Sequence, residues 1–332
     1  MFGRLLSKSP IDGFVLSIML AVVVAAFFPA RGAFAEVLDY VVIAAIALLF
    51  FLYGTRLHPR EALRGLTHWR LHLTILAFTF VLFPIVGVVL APLLSHVIGQ
   101  DLSAGILYLT LVPSTVQSSI AFTSIARGNV PGAIVSASVS NLLGVVLTPL
   151  LAVWLMSTDS GVHVDATAVT KIMLQILLPF IVGQLARPWV APLLQRYAEP
   201  TKYVDRGSIV LVVFVAFSEG VRDGLWSLVS AWQVVLMTII ATALVIVMLV
   251  LSGWLPKRMG FDRADTVAIQ FCGTKKSLAT GLPMATVLFA GSQVGLIVLP
   301  LMIFHQVQLI LCSWLATRYG RQADDEDVAA AP

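Results

Sequence analysis

Two adjacent lysines, Lys275 and Lys276, lie in the middle of a long apolar stretch of this sequence. A lysine at the centre of a membrane helix costs about 2.5–3.5 kcal/mol on insertion scales, so intramembrane lysines are rare and most of them have a function. Asp265 stands near the start of the stretch, and the eight residues from it to Gly273 give a helical rise of roughly 12 Å. This spacing predicts that the lysine pair lies near the bilayer midplane.

The charge of this pair must be balanced. A helix break at Gly273-Thr274 would place both lysines at the start of a half-helix, whose N-terminus already carries partial positive charge. Of the 17 acidic residues, 16 fall at the first few positions of an apolar run, between runs or in the tail, and only Glu219 lies further inside a run. Three arrangements remain open: Glu219 pairs with one lysine, one lysine is uncharged, or a bound anion completes the site. We favour the bound anion.

A second polar cluster, Pro113-Ser-Thr-Val-Gln-Ser-Ser119, interrupts another apolar run in the same way. A Thr-x-x-Ser pattern occurs in both clusters, and the two copies are 159 residues apart, nearly half the chain. Paired, interrupted apolar segments in corresponding halves are typical of inverted-repeat transporters and indicate their binding site. The simpler interpretation is that small and polar residues only allow close helix packing.

The candidate substrate- or ion-binding residues are the polar side chains of these clusters and of neighbouring apolar runs. His305 would serve either as a proton carrier near neutral pH or as a hydrogen-bonded histidine between helices. No metal-ligand cluster is predicted. The set is Lys275, Lys276, Thr274, Ser277, Thr115, Gln117, Ser118, Ser119, Ser138, Asn141, Gln270 and His305.

The composition requires a membrane around these clusters. Of the 332 residues, 59% are hydrophobic and 11% are charged, and the mean hydropathy is +0.96. Soluble proteins have about 45–50% apolar and about 25% charged residues, so a water-soluble enzyme is excluded. Apolar runs long enough to cross a bilayer fall at about 12–30, 37–55, 71–95, 101–126, 131–157, 168–189, 204–222, 228–256, 263–290 and 293–317.

The placement of basic residues predicts the orientation. With the N-terminus in the cytoplasm, 16 of the 21 Lys and Arg residues fall in cytoplasmic segments and three in outer segments, as the positive-inside rule expects. The excess of basic residues therefore indicates cytoplasmic loops rather than nucleic-acid binding. Both termini are predicted to be cytoplasmic. The first run has the outline of a signal peptide, but its removal would leave nine spans, so we expect it to be retained.

The ten runs predict one all-α membrane domain over residues 1–322. Five spans per half, an odd number, would make the second half enter the membrane from the opposite side, which gives inverted repeats at about 12–157 and 168–317. The fourth and ninth helices are predicted to be discontinuous. Residues 323–332 are predicted to form a disordered acidic tail.

The segments Phe271–Met284, Pro113–Thr123, Ala126–Val130 and Pro300–Gln306 resemble the bile acid:sodium symporter-like (SBF-like) membrane proteins, specifically their YfeH-like bacterial branch. The resemblance covers nearly the whole chain. It implies a ten-helix inverted-repeat fold with a panel and a core domain, in which two broken helices cross at the ion and substrate site. It also implies a location in the bacterial inner membrane.

The chain departs from the sodium-dependent members of this family at their sodium ligands. Phe271 and Lys275 occupy the places of a Glu and a Gln, and Ser118-Ser119 replaces a Ser-Asn pair. Ala133 and Ala137 replace two hydroxyl ligands, and Thr79 replaces a Gln. Because an ammonium group repels a hard cation, the resemblance predicts the fold and the place of the site, but not sodium coupling.

The sequence therefore predicts a secondary transporter of a small or amphipathic organic anion, working by alternating access, with sodium or a proton as the possible coupling ion and no other cofactor. A membrane regulator or receptor that kept the fold but lost transport is the alternative. An intramembrane enzyme is disfavoured because the sequence has no metal-ligand motif such as H-E-x-x-H.

Overall fold

The computed structural model describes residues 13–56, 68–159, 173–222, 224, 229–289 and 294–330, and the regular structure in these ranges is helical. Two π-helical turns, Phe78–Leu82 and Met173–Leu177, precede α4 and α8. The α-helices of the described residues are α1 (Gly13–Phe27), α2 (Ala33–Arg56), α3 (Trp69–Ala77), α4 (Phe83–Ile98), α5 (Gln100–Leu111), α6 (Val116–Ile125), α7 (Val130–Asp159), α8 (Leu178–Arg196), α9 (Ala198–Arg222), α10 (Ala231–Arg258), α11 (Arg263–Gly273), α12 (Leu278–Leu288) and α13 (Val294–Ala330).

Six helical stretches of the described residues are long and apolar enough to cross a membrane: α2, the continuous stretch from α3 to α4, α7, α8 with its π-turn, α10 and α13. The pair α5 and α6, bent by 62° at a short break, would be a seventh. The remaining predicted runs coincide with α1, α9 and the pair α11 and α12. The fold is therefore that of a multi-pass membrane protein, while the full count of ten spans and the inverted repeat stay predictions.

The chain divides into two compact units. Unit 1 comprises Met1–Leu57, Ala152–Ser230 and Gly281–Val298, and unit 2 comprises His58–Leu151, Ala231–Thr280 and Leu299–Pro332. Both polar clusters of the sequence lie in unit 2.

Close glycine contacts hold α2 against α8 within unit 1. A Cβ atom on Gly54 would lie 2.2 Å from the carbonyl oxygen of Phe180, and one on Gly183 would lie 2.1 Å from that of Phe51. Small residues allow such backbone approach between membrane helices, where packing replaces the hydrophobic effect as the driving force. An ion pair between Arg56 and Asp205 also joins α2 to α9.

Two helix breaks shape unit 2. Helix α5 ends at Leu111, and Val112 is extended (φ −76°, ψ 153°) because the residue before Pro113 disfavours the helical region. Helix α11 is capped at its start by Asp262, whose carboxylate accepts a hydrogen bond from the Asp265 N–H, and it ends at Gly273. The sequence predicted both interruptions, and both are present.

The last helix, α13, continues to Ala330, through most of the segment predicted as an acidic tail. Alanine is the strongest helix former, and Ala323, Ala329 and Ala330 favour this continuation.

Candidate functional site

The break between α5 and α6 packs directly on the break between α11 and α12. The main-chain N–H of Ser277 donates to the Pro113 carbonyl at 2.8 Å. In the other direction, the Ser114 hydroxyl donates to the Cys272 carbonyl at 2.6 Å, and the Thr115 hydroxyl donates to the Lys276 carbonyl at 2.9 Å. The carbonyls at a helix C-terminus lack intrahelical partners. Here, hydroxyl groups of the α5–α6 break donate hydrogen bonds to free carbonyls of the α11–α12 break.

A third hydroxyl extends this capping. Ser119 donates to the Phe271 carbonyl at 3.1 Å. Asn141, on α7, connects the two breaks: its Nδ2 donates to the Ser114 carbonyl at 2.6 Å, and its Oδ1 accepts from the Thr280 hydroxyl at 2.8 Å. Ser277 Oγ accepts from the Thr280 N–H at 3.2 Å, as an N-cap of α12 does. The polar side chains at the breaks are thus largely occupied with main-chain groups.

Lys276 has a complete set of hydrogen bonds despite full burial. Its side chain is 0% exposed, and its Nζ donates to the carbonyls of Thr79, Thr110 and Val112 at 2.9, 2.7 and 2.9 Å. An ammonium group has three donors, so all three are used. The Phe83 ring lies below the same atom, with its centroid 4.2 Å away. The three main-chain oxygens and Phe83 therefore form a cation cage, which the Lys276 side chain occupies.

Two prolines explain why these carbonyls are free to accept. In the π-turn the Phe83 N–H donates to the carbonyl of Phe78, five residues earlier. By the same π-helical pattern, the Thr79 carbonyl would accept from the N–H of the residue five positions later. That residue is Pro84, which has no N–H. Pro113 similarly ends α5, which leaves the carbonyls of Thr110 and Val112 without helical partners.

Gln308 fixes the main chain of Lys276 from α13. Its Oε1 accepts from the Lys276 N–H at 2.9 Å and its Nε2 donates to the Lys276 carbonyl at 2.8 Å. The same Nε2 is 2.9 Å from Nδ1 of His305. Nδ1 of His305 also lies 3.5 Å from the Lys276 carbonyl oxygen, so the ring contacts both partners of this pairing.

Lys275 differs from its neighbour in having no hydrogen-bond partner in the described part of the chain. Its side chain is also 0% exposed, but no described residue accepts a hydrogen bond from its Nζ. The amine lies over the Phe122 ring, 3.7 Å from the centroid. Glu219, which the sequence offered as a counter-charge, belongs to α9 in unit 1, whereas both lysines belong to unit 2.

The other candidate residues lie around or away from the breaks. Thr274 is turned toward α10, with its hydroxyl 2.8 Å from that of Ser252. Gln270 also faces α10, where its Nε2 donates to the Leu249 carbonyl at 2.7 Å. Gln117 is exposed and Ser138 half-buried, while Ser118 Oγ is buried with no partner among the described residues.

Sequence reasoning missed several groups of this site. Gln308 is the largest omission, although its position three residues after His305 places the two on one helix face. Ser114 and Thr280 were also left out of the candidate set. The acceptors for Lys276 are main-chain atoms, which residue type does not reveal. The available signals were the prolines Pro84 and Pro113.

An apolar multi-pass fold with two contacting helix breaks and buried cations at the break is a transporter-like architecture. Comparison with known proteins defines the class: residues 12–321 match the SBF-like CPA transporter family (DUF4137). The chain belongs to this family of transporters and is not an enzyme.

Three relatives illustrate the breadth of the family. The chain is 49% identical to "Uncharacterized protein PA2026" of Pseudomonas aeruginosa over 96% of both chains. It is 46% identical to "Putative symporter YfeH" of Escherichia coli K12, over 95% of this chain and 94% of that protein. It is 30% identical to "Sodium/bile acid cotransporter 7" of Mus musculus, over 94% of this chain and 93% of that protein.

Proposed function

We propose that this protein is a secondary transporter of an organic anion, working by alternating access, and that Lys275 is the group that binds the anion. The observation that carries the proposal is the amine of Lys275, which is buried at the helix breaks without a hydrogen-bond partner among the described residues. A buried, unpaired ammonium group is costly. An anion that enters when the site opens would supply the missing partner.

Lys276 does not compete for this role, because all of its donors are used. The two lysines therefore have different roles. Lys276 stabilises the junction of the two helix breaks, and Lys275 is available to bind an anion. The mouse relative is named a sodium/bile acid cotransporter. Bile acids are amphipathic organic anions, so this name supports the proposed substrate class.

Sodium coupling does not fit the residues present. Ala133 and Ala137 are fully buried and offer no side-chain oxygen, and Phe271 is fully buried as well. The three main-chain oxygens that would suit a hard cation already accept from Lys276. We therefore infer sodium-independent transport, with proton coupling through Lys275 or His305 as the alternative source of energy.

The test is uptake into proteoliposomes of the full chain, with radiolabelled taurocholate as the first probe and a panel of smaller organic acids beside it. Uptake is measured with and without a sodium gradient for the wild type and for Lys275→Met. Lys202→Met, an exposed lysine on α9, is the matched control. We expect uptake that does not need sodium, a loss of at least tenfold in Lys275→Met, and wild-type rates in Lys202→Met.

Sodium-dependent uptake that persists in Lys275→Met would overturn both the anion role and the sodium independence. Stabilisation of the protein by an anion without any flux would favour the alternative, a membrane receptor or regulator with this fold.

We further propose that the protein lies in the bacterial inner membrane with both termini in the cytoplasm. The bacterial relatives and the excess of basic residues in alternate loops support this orientation. A C-terminal fusion to green fluorescent protein should fluoresce, and a C-terminal fusion to alkaline phosphatase should be inactive. The reverse result would place the C-terminus outside.

A further inference from the structure

A groove of about 540 Å³ lies on unit 2, between α10 and α13, with Gln270 of α11 in its wall. Its sides are mostly apolar, and they include Ile246, Val250, Trp254 and Trp314. Val250 and Trp314 are each 62% exposed, so the groove is open to the surroundings of the protein. On a multi-pass membrane protein, such a surface faces lipid.

One end of the groove is strongly basic. Lys257, near the end of α10, lines it. Arg258 stacks over the ring of Trp254 with its guanidinium 5.3 Å from the centroid, and Arg318 stacks over Trp314 at 5.7 Å. The two tryptophans that flank the groove therefore each carry an arginine.

Contacts between the helices show that these charges belong to the same end. Arg263 lies just beyond the end of α10, and its Nη2 donates to the carbonyl of Tyr319 at 2.9 Å, a groove residue on α13. Two acids of this end make hydrogen bonds: Asp262 caps α11, and Asp265 accepts from Asn129 at 2.6 Å. The described residues that line the groove itself include Lys257 and no acidic residue.

We propose that this groove binds an anionic phospholipid. The acyl chains lie along the apolar walls, and the phosphate is held by Lys257 with the neighbouring arginines Arg258 and Arg318. Basic pockets between membrane helices commonly bind anionic lipid headgroups. Phosphatidylcholine carries no net charge and would gain nothing from these basic side chains. The site is independent of whether the protein transports an anion.

The test measures lipid retention by native mass spectrometry and the midpoint of thermal unfolding for the full chain in detergent. Phosphatidylglycerol, phosphatidic acid and phosphatidylcholine are added separately. We expect phosphatidylglycerol and phosphatidic acid both to be retained and to raise the unfolding midpoint, and phosphatidylcholine to have no effect.

Matched variants locate the site. Val250→Trp fills the groove and should lower phosphatidylglycerol retention at least tenfold. Val247→Trp should not, because Val247 is similarly exposed on the same helix (48%) but does not line the groove. Lys257→Gln should weaken retention about fivefold, since one lysine near a membrane surface contributes about that factor, while Lys202→Gln should have no effect.

Three results would overturn the proposal. The first is equal retention of phosphatidylcholine, and the second is unchanged retention in Val250→Trp. The third is that Val250→Trp converts a dimer into a monomer without any change in bound lipid, which would make the groove an interface between two copies of the chain.

Discussion

Gln308 pairs with both main-chain groups of Lys276, accepting from its N–H at 2.9 Å and donating to its carbonyl at 2.8 Å. This two-sided pairing replaces the hydrogen bonds that a helix would supply, at a residue where the helix has stopped. It keeps the backbone of Lys276 in place while the side chain reaches three carbonyls in two other segments.

Replacing Gln308 by Leu should lower the free energy of unfolding by about 1–3 kcal/mol, because the buried Lys276 N–H loses its acceptor. The Lys276 carbonyl keeps the hydrogen bond from the Thr115 hydroxyl. The check is the midpoint of thermal unfolding in detergent. Gln306→Leu, a half-buried position on the same helix, is the control and should change the midpoint little. Equal effects of the two substitutions would show that the pairing does not stabilise the protein.

Lys276→Ala should destabilise the protein by about 3 kcal/mol or more, because three buried carbonyls lose their donor and a cavity opens. Methylammonium chloride should restore part of the unfolding midpoint, since a free methylammonium ion can enter the vacated cage and donate to the same oxygens. Tetramethylammonium chloride, which has no N–H, is the matched salt and should not restore it. An equal response to both salts would mean that the cage does not bind ammonium.

Lys275→Met should leave the free energy of unfolding within about 1 kcal/mol of the wild type. Among the described residues the side chain loses no hydrogen bond. It gives up its contact with the face of Phe122, which is worth about 0.5–2 kcal/mol and is offset by the removal of an unpaired buried amine. Lys276→Met, measured in the same detergent, should be clearly less stable. A similar loss in both variants would argue that the two lysines have equivalent surroundings.

Gly183→Ala should destabilise unit 1 by about 2 kcal/mol or more, because its Cβ would lie 2.1 Å from the Phe51 carbonyl oxygen and the backbone must move. Gly207→Ala is the control, since a Cβ there meets nothing within 4 Å. That second change should be neutral or stabilising by up to about 1 kcal/mol, as expected for glycine to alanine in a helix. Thermal unfolding of the two variants distinguishes the outcomes.

The sequence predicted the two helix breaks because Pro113 and Gly273 act through local backbone rules. It also predicted that the lysine pair is buried, because the eight residues that follow Asp265, up to Gly273, contain no charge and carry the chain into the bilayer as a helix. It did not predict that the two lysines would differ. Adjacent residues on a non-helical segment point in different directions, and nothing in the residue types indicates which amine finds acceptors.

The identity of those acceptors depends on tertiary structure. The Thr79 carbonyl is free only because a π-turn places Pro84 where its donor would be. Such a turn follows from packing rather than from a local pattern. For Gln270 the sequence predicted a site residue where the structure has none at the breaks. Its polarity in an apolar run made it a candidate, but its side chain faces α10 and the groove.

The cage around Lys276 also constrains the thermodynamics of a transport cycle. A charge fixed by a covalent tether returns to the same oxygens after every turnover and never crosses the membrane. It stabilises the junction as a bound ion would. Unlike a free ion, however, it does not move down a concentration gradient, so it cannot supply energy for uphill transport. An anion carried past it would cross as a net negative charge unless a proton accompanies it, and the membrane voltage would then set how far that anion can be concentrated.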